Sequence, residues 1–234
     1  LYGVIDDFDW GDGNGLTAKQ LADELKKYPL AETIQLNINS PGGSYFAAAA
    51  MYNVLHRHPA GKVVNIDGMA LSAASLVAMV GDEIRMAENA MMMIHNPWVC
   101  ACGDESAMVK AKELLAKVKD TIVATYAART GQPAKDIAGW MDAETWMNAA
   151  EAKEKGFATA LTEAKKVAAC AGDALERFPF RNRDKLAALV VSAAPTEPPG
   201  GESPQTPPAN AQGKESDMSD KTKQAGQGGD GAAP

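Results

Sequence analysis

A serine and a histidine that could carry out nucleophilic catalysis lie at the ends of two predicted strands. Ser72 belongs to the small-residue stretch 68–75, which follows a strand predicted at 62–67 and precedes a predicted buried helix ending near Val80. A sharp strand-to-helix turn exposes a serine hydroxyl, and the first N–H groups of the helix lack acceptors within it. Those N–H groups could stabilise an oxyanion. The alternative is that these small residues only permit close packing.

A serine nucleophile needs a base, because an unassisted hydroxyl is a weak nucleophile. His95 is the best placed of the three histidines, since it closes the apolar strand predicted at 90–95. His56 and His58 lie instead in a polar connection at the end of a predicted helix. A buried histidine with a purely structural role is the alternative for His95.

Two other serines lie near the same predicted turns. Ser75 follows Ser72 by about one helical turn, so we expect its side chain to face the core. Ser40 precedes a proline and has no helix N-terminus directly after it. Ser72 is therefore the preferred nucleophile.

A second predicted strand-to-helix junction contains two adjacent glycines. The segment 33–38 alternates as a strand does, 39–44 has the composition of a turn, and 45–56 is an alanine-rich predicted helix. Gly42 and Gly43 permit backbone conformations that other residues cannot hold, although an ordinary Pro-Gly-Gly turn is the alternative.

Strands alternate with helices over the first two thirds of the sequence, which predicts an α/β fold with parallel strands. Functional groups gather beyond the carboxyl ends of such strands, where Ser72, His95 and the glycine pair all lie. The apolar stripe of the long helix predicted at 105–128 indicates either core packing or assembly of several chains. The remaining predicted strands are 2–5, 83–86 and 157–161. The remaining predicted helices begin after Thr17 and after Asn148, where Gln20 and Glu151 respectively complete a capping box.

The composition argues against several classes of function. The 234-residue chain has a formal net charge of −7 and no basic cluster, so we expect no nucleic-acid partner. No apolar run reaches the roughly 18 residues that cross a membrane, and we expect a cytoplasmic protein. Cys100, Cys102 and Cys170 form neither a disulfide framework nor a complete metal site, and we expect no cofactor.

The sequence predicts three regions of different character. Residues 1–162 are expected to form one catalytic domain, and residues 163–194 a weakly helical extension. Residues 195–234 are rich in proline and glycine and lack aromatic side chains. Such a segment buries too little apolar surface to offset the entropy of ordering, so we expect a disordered tail.

Several segments together resemble the Clp peptidase family, the self-compartmentalising serine proteases. Within that family the chain is most similar to the phage branch, the ClpP-like head maturation (prohead) proteases. The resemblance covers about residues 2–161, with the motifs in the family's order and at similar spacing. The segments that carry it are 38–43, 68–73, 93–97, 130–132 and 149–156.

The resemblance implies catalytic roles for three residues of the two turns and for His95. Ser72 would be the nucleophile and His95 the general base, with the N–H groups of Gly43 and Ala73 forming the oxyanion hole. It also implies a ClpP/crotonase-type fold of repeated β-β-α units, in which the long helix is a protruding handle. Homo-oligomeric rings would cleave capsid, scaffold or portal proteins in the assembling prohead, within the host cytoplasm.

The sequence departs from the family at the third member of the catalytic triad, which is an aspartate in Clp peptidases. Counting without gaps from Thr130 places Glu144 at that position. A glutamate can hold the histidine tautomer as an aspartate does. Asp142 is the alternative if the loop shifts, and a Ser–His dyad without an acid remains open.

Three other functions compete with the endopeptidase. A crotonase-type acyl-CoA hydratase or isomerase would use the same backbone N–H groups but leaves Ser72 and His95 without a purpose. A serine–lysine peptidase would take its base from the lysines of the long helix. An inert assembly adaptor of the same fold would be expected to lack the nucleophile or the base.

Overall fold

The computed structural model describes residues 1–8 and 15–164 of the chain. Nearly all of the predicted extension at 163–194 and the whole predicted tail at 195–234 lie outside the described residues. The elements are, in chain order, β1 (Val4–Ile5), β2 (Gly15–Leu16), α1 (Ala18–Leu25), β3 (Thr33–Ser40), α2 (Tyr45–Arg57), β4 (Gly61–Leu71), α3 (Ala73–Ala78), β5 (Glu83–Ala87), β6 (Met91–Ile94), α4 (Glu105–Thr130), α5 (Ala134–Asp142), β7 (Thr145–Asn148), α6 (Ala149–Glu154) and β8 (Ala160–Thr162).

The predicted α/β architecture is confirmed, and the predicted helix starts are confirmed with it. Thr17 and Gln20 form the expected capping box of α1, and Asn148 and Glu151 form that of α6. Six strands make one sheet in which β3, β5 and β6 all pair in parallel with β4, and β8 pairs in parallel with β5. Helices and strands therefore alternate along the chain as the hydrophobic periods indicate.

Strand β4 is the centre of the sheet, and its first and last parts pair with two different strands. Residues 63–66 pair with β5, whereas residues 69–71 pair with β6. The predicted turn at Gly68 is wrong, because β6 supplies a second partner and the strand continues through Gly68 to Leu71. The turn is consequently confined to Ser72, between the end of β4 and the start of α3.

Strand β7 and helix α5 lie in a segment where the sequence analysis predicted no element. Strand β7 runs antiparallel to β6, with Ile94 opposite Thr145 and Met93 opposite Trp146. The prediction of parallel pairing therefore fails for this edge of the sheet. Continuing the register by one position sets His95 opposite Glu144, which lies directly before β7.

The long helix α4 has two halves with different surroundings. Its C-terminal half packs into the core through Val118, Ile122, Val123 and Tyr126. Its N-terminal half leaves Met108 and Leu114 40% and 49% exposed. The stripe seen in the sequence is thus core in the C-terminal half of the helix, whereas Met108 at its N-terminal end is exposed. No described helix combines the length and the apolar character needed to cross a membrane.

Candidate active site

Ser72 has a backbone conformation that L-amino acids seldom adopt. Its φ is 53° and its ψ is −123°, at the single residue that joins β4 to α3. Such a conformation costs free energy, and it persists only where the surrounding structure holds it. Among the described residues, Glu144 is the one other non-glycine residue with a positive φ. Both strained positions are residues that the sequence analysis singled out.

The backbone around Ser72 is held by neighbours on two sides. The N–H of Ser72 donates to the carbonyl oxygen of Met93 at 2.8 Å, which ties the turn to the end of β6. On the other side, a Cβ atom placed on Gly42 would lie 2.5 Å from the carbonyl oxygen of Leu71. Gly42 also has a φ of 94°, so the position requires glycine both for space and for conformation.

The side chains of Ser72 and His95 meet in a hydrogen bond. Ser72 Oγ lies 2.7 Å from His95 Nε2. The pairing of Leu71 with Met93 brings the ends of β4 and β6 side by side, with Ser72 one residue beyond this pair and His95 two residues beyond it. A serine hydroxyl at this distance from an imidazole can pass its proton to the ring as it attacks a carbonyl carbon.

Gly43 and Ala73 line the same cavity as Ser72 and His95. Ile5 binds the carbonyl oxygen of Gly42 and the N–H of Ser44, both at 2.8 Å. In an extended chain the N–H of the residue between them points to the opposite side, away from Ile5. A Cβ on Gly43 would lie 2.0 Å from the Ile5 carbonyl oxygen, so no larger residue fits this position.

One cavity of about 680 Å³ is lined by Gly43, Ser72, Ala73 and His95. Its wall is largely apolar and is built from β1, α3, the loop after His95, and α4. The residues of α4 that line it are Leu114, Leu115, Val118, Ile122 and Tyr126. A cleft of this kind suits an apolar group held next to a reacting carbonyl, because the wall removes that group from water.

Glu144 is opposite His95 in the extended β6–β7 register and is 5% exposed. The indole Nε1 of Trp146 donates to Glu144 Oε1 at 3.2 Å. Glu144 and His95 both line a second, smaller cavity of about 180 Å³. Together with the β6–β7 register, this places Glu144 as a buried carboxylate that shares the smaller cavity with His95.

Asp142 has different surroundings, although it borders the same small cavity. Its side chain is 56% exposed and forms an ion pair with Lys119 Nζ at 2.5 Å. Its Oδ1 atom also accepts a hydrogen bond from Asn96 Nδ2 at 2.8 Å. Asp142 therefore links α4, α5 and the loop after His95, and Glu144 is the better candidate for the acid.

The structure also shows where the rival serine Ser75, two of the three cysteines and one of the α4 lysines lie. Ser75 is fully buried, as expected for a serine one turn into the helix. Cys100 and Cys102 are exposed, and the described residues contain no group of three or more side chains arranged to hold a metal ion. Of the lysines on α4, Lys119 binds Asp142.

Two features of the site were missed by sequence reasoning. Ser75 was considered only as a rival nucleophile, and Tyr126 only as a member of an apolar stripe. Their hydroxyl groups lie 2.8 Å apart in the core, directly beneath Ser72. No short-range pattern links residues 51 positions apart, so the signal available in the sequence was only a tyrosine hydroxyl on a buried stripe.

Comparisons with known proteins identify the family of this chain. The family profile described as Clp protease matches residues 16–165. An ATP-dependent Clp protease proteolytic subunit from Ostreococcus tauri is 31% identical over 154 residues, which is 62% of this chain and 76% of that protein. Proteins of the same name from Oltmannsiellopsis viridis and Pleurastrum terricola are 30% and 34% identical, over 54% and 51% of this chain. The chain spans 66% and 62% of the length of these two relatives.

The fold also matches a solved structure. A mutant of ClpP1 from Listeria monocytogenes superposes with a TM-score of 0.61 at 20% sequence identity. The match covers 70% of this chain and 90% of that one, and it supports the ClpP type of α/β fold expected from the sequence. Because the family profile covers more than half of the chain, and the Ostreococcus protein is matched over most of its length, this protein belongs to the Clp protease family.

Proposed function

We propose that this protein is a serine endopeptidase with Ser72 as its nucleophile and His95 as its general base. The observation that carries the proposal is the 2.7 Å hydrogen bond between Ser72 Oγ and His95 Nε2, formed at a strained turn that opens into a large cleft. A strained residue that faces a cavity and bonds to a base is typical of a catalytic group.

The reaction follows from these positions. Ser72 Oγ attacks the peptide carbonyl carbon while His95 Nε2 takes the hydroxyl proton, and the carbonyl oxygen becomes an oxyanion. The N–H groups of Gly43 and Ala73 donate to that oxyanion. The imidazolium then gives its proton to the leaving amine, the C–N bond breaks, and an acyl-enzyme remains. A water molecule, deprotonated by His95, hydrolyses the ester and restores Ser72.

Glu144 completes the proposed triad. Its burial and its position opposite His95 in the β6–β7 register both support this role. A carboxylate there would hold the imidazole in the tautomer that leaves Nε2 free to accept a proton, and would stabilise the imidazolium. Asp142 is a weaker candidate, because Lys119 already pairs with its carboxylate and solvent screens its charge.

The substrate is expected to be a polypeptide with an apolar side chain near the scissile bond. The apolar wall contributed by α4 supports this preference. The resemblance to the phage branch points to capsid, scaffold or portal proteins cleaved during head maturation in the host cytoplasm. The exposed apolar residues on the N-terminal half of α4 support assembly into a homo-oligomeric ring, in which α4 would be the handle.

Labelling with a fluorophosphonate probe, followed by peptide mapping, tests this function. The expected result is an adduct on Ser72 that is lost in Ser72→Ala and in His95→Ala. His56→Ala is the matched control, because that histidine is exposed at the far end of α2 and should leave labelling unchanged.

Other outcomes would identify the competing functions. Labelling of Ser72 that survives His95→Ala would point to a lysine base. An unlabelled protein that binds an acyl-CoA would favour the hydratase or isomerase. A protein that assembles but neither labels nor binds acyl-CoA would be an inert adaptor.

A further inference from the structure

Beneath Ser72, two buried hydroxyl groups form a chain that ends on its backbone. Ser75 Oγ donates to the carbonyl oxygen of Ser72 at 2.6 Å. Tyr126 Oη lies 2.8 Å from the same Ser75 Oγ. Ser75 is fully buried and Tyr126 is 2% exposed, so water does not compete for these bonds.

The direction of both hydrogen bonds follows from the single proton that each hydroxyl carries. A carbonyl oxygen can only accept, so the Ser75 proton is directed to Ser72. Tyr126 must then donate its own proton to Ser75 Oγ. Burial raises the pKa of Tyr126 above its ordinary value, so the phenol stays protonated and remains a donor.

The carbonyl of Ser72 belongs to the same peptide group as the N–H of Ala73. A trans peptide is planar, and its C=O and N–H bonds point in opposite directions. The Ser72 carbonyl accepts from both the Ser75 hydroxyl and the Ser75 N–H, the latter at 3.0 Å. Two donors that hold this carbonyl in place therefore fix the Ala73 N–H in the opposite direction, and Ala73 lines the cleft.

We propose that Ser75 and Tyr126 are positioning residues that orient the Ser72–Ala73 peptide so that the Ala73 N–H is ready to bind the oxyanion. This inference rests on the proposed peptidase function. Tyr126 acts through Ser75, and its ring is itself fixed by edge-to-face contact with Phe157, at a centroid distance of 5.4 Å. The strained turn thus depends on a side chain from α4, 51 residues further along the chain than Ser75.

The test compares Ser75→Ala, Tyr126→Phe and the double variant in the intact chain. The readouts are the rate of fluorophosphonate labelling and the values of kcat and KM on a fluorogenic peptide with an apolar residue before the scissile bond. Loss of one oxyanion donor costs about 100- to 1000-fold in kcat, and Ser75→Ala removes one of two anchors for such a donor, so we expect a loss of about tenfold. KM should change by less than about twofold, because the N–H acts on the transition state rather than the bound substrate.

The double variant separates positioning from simple destabilisation. Tyr126→Phe should lower kcat by about threefold in the native background and have no effect in the Ser75→Ala background, since the Tyr126 hydroxyl acts on the Ser72–Ala73 peptide through Ser75 Oγ. Thr159→Val is the control: Thr159 bonds to the backbone of Ile84 with its hydroxyl, outside the cleft, and the variant should keep native kcat. Native kcat and labelling in Ser75→Ala, or additive losses in the double variant, would refute the inference.

Failure of the peptidase function itself would look different. If the native chain carries no adduct on Ser72, the proposed function is wrong whatever the variants do. Hydrogen exchange of the peptide that contains residues 72–75 then decides the positioning inference without any catalysis. Exchange about tenfold faster in Ser75→Ala than in the native chain supports it. Identical exchange refutes it.

Discussion

Replacing Glu144 by glutamine would test whether this buried glutamate completes the catalytic triad. Glutamine has nearly the same shape, and its carbonyl oxygen can still accept the hydrogen bond from Trp146 Nε1 that Glu144 accepts at 3.2 Å. The change therefore removes the charge and leaves the packing. An amide at this position no longer stabilises an imidazolium and permits the wrong histidine tautomer.

The size of the effect can be estimated from other triads. Removing the charge of the triad acid lowers kcat by about 10⁴-fold in serine proteases of unrelated folds. Glu144 is 5% exposed, so little water is available to replace its charge. We expect Glu144→Gln to lower kcat on the fluorogenic peptide by about 10³- to 10⁴-fold, with a small change in KM.

Asp142→Asn is the matched control, because it makes the same chemical change two residues earlier. The Asp142 side chain is 56% exposed and its ion pair with Lys119 is partly solvated. Exposed ion pairs contribute about 0 to 1 kcal/mol, so kcat should fall by less than about fivefold. A loss of less than about tenfold in Glu144→Gln would show that the enzyme works as a dyad, and a larger loss in Asp142→Asn would move the acid to that residue.

Three further predictions concern the turn, the core and assembly. Gly42→Ala should abolish labelling of Ser72 and lower the free energy of unfolding by about 2 to 4 kcal/mol in chemical denaturation. The reason is that the new methyl group meets the Leu71 carbonyl oxygen and that φ at this position is positive. Native stability of this variant would contradict the close approach of the two turns. Burial raises the pKa of Tyr126. The contribution of this buried phenol to stability is therefore complete below the ordinary tyrosine pKa of about 10 and is lost as the pH rises further. Tyr126→Phe should therefore reduce the alkaline loss of stability in unfolding curves, and an unchanged pH dependence would argue against burial of the phenol. Leu114→Asp, on the exposed half of α4, should shift the mass measured by light scattering towards the monomer, whereas an unchanged mass would place the oligomer contact elsewhere.

Local chemistry explains which parts of the site could be predicted from the sequence. Ser72 and the glycine pair follow strands with a period of two, His95 follows a short apolar strand, and parallel strands bring their carboxyl ends to one edge. The helix starts at Thr17 and Asn148 depend on residues three positions away, so they are visible in a short window. The length of β4 was missed because its last residues owe their strand conformation to β6, which lies further along the chain, beyond α3 and β5.

The acid of the site depends on long-range structure in the same way. Glu144 and Asp142 look alike in the sequence, as two carboxylates in one segment. Antiparallel pairing of β7 with β6 brings Glu144 opposite His95, where Glu144 is buried. Asp142 instead contacts Lys119 and solvent. A difference in burial of this kind arises from packing among distant elements, which no local pattern encodes.

The sequence by itself determined most of the helices and strands, the residue types available for catalysis and the family resemblance. Each of these depends on side chains within a few positions of one another, where periodicity and capping act directly. Only the tertiary structure decided the strained conformation of Ser72, the contact of Gly42 with the turn, and the Ser75–Tyr126 chain beneath it. These features exist because groups far apart in the chain are packed together closely enough to hold a conformation that the local backbone disfavours.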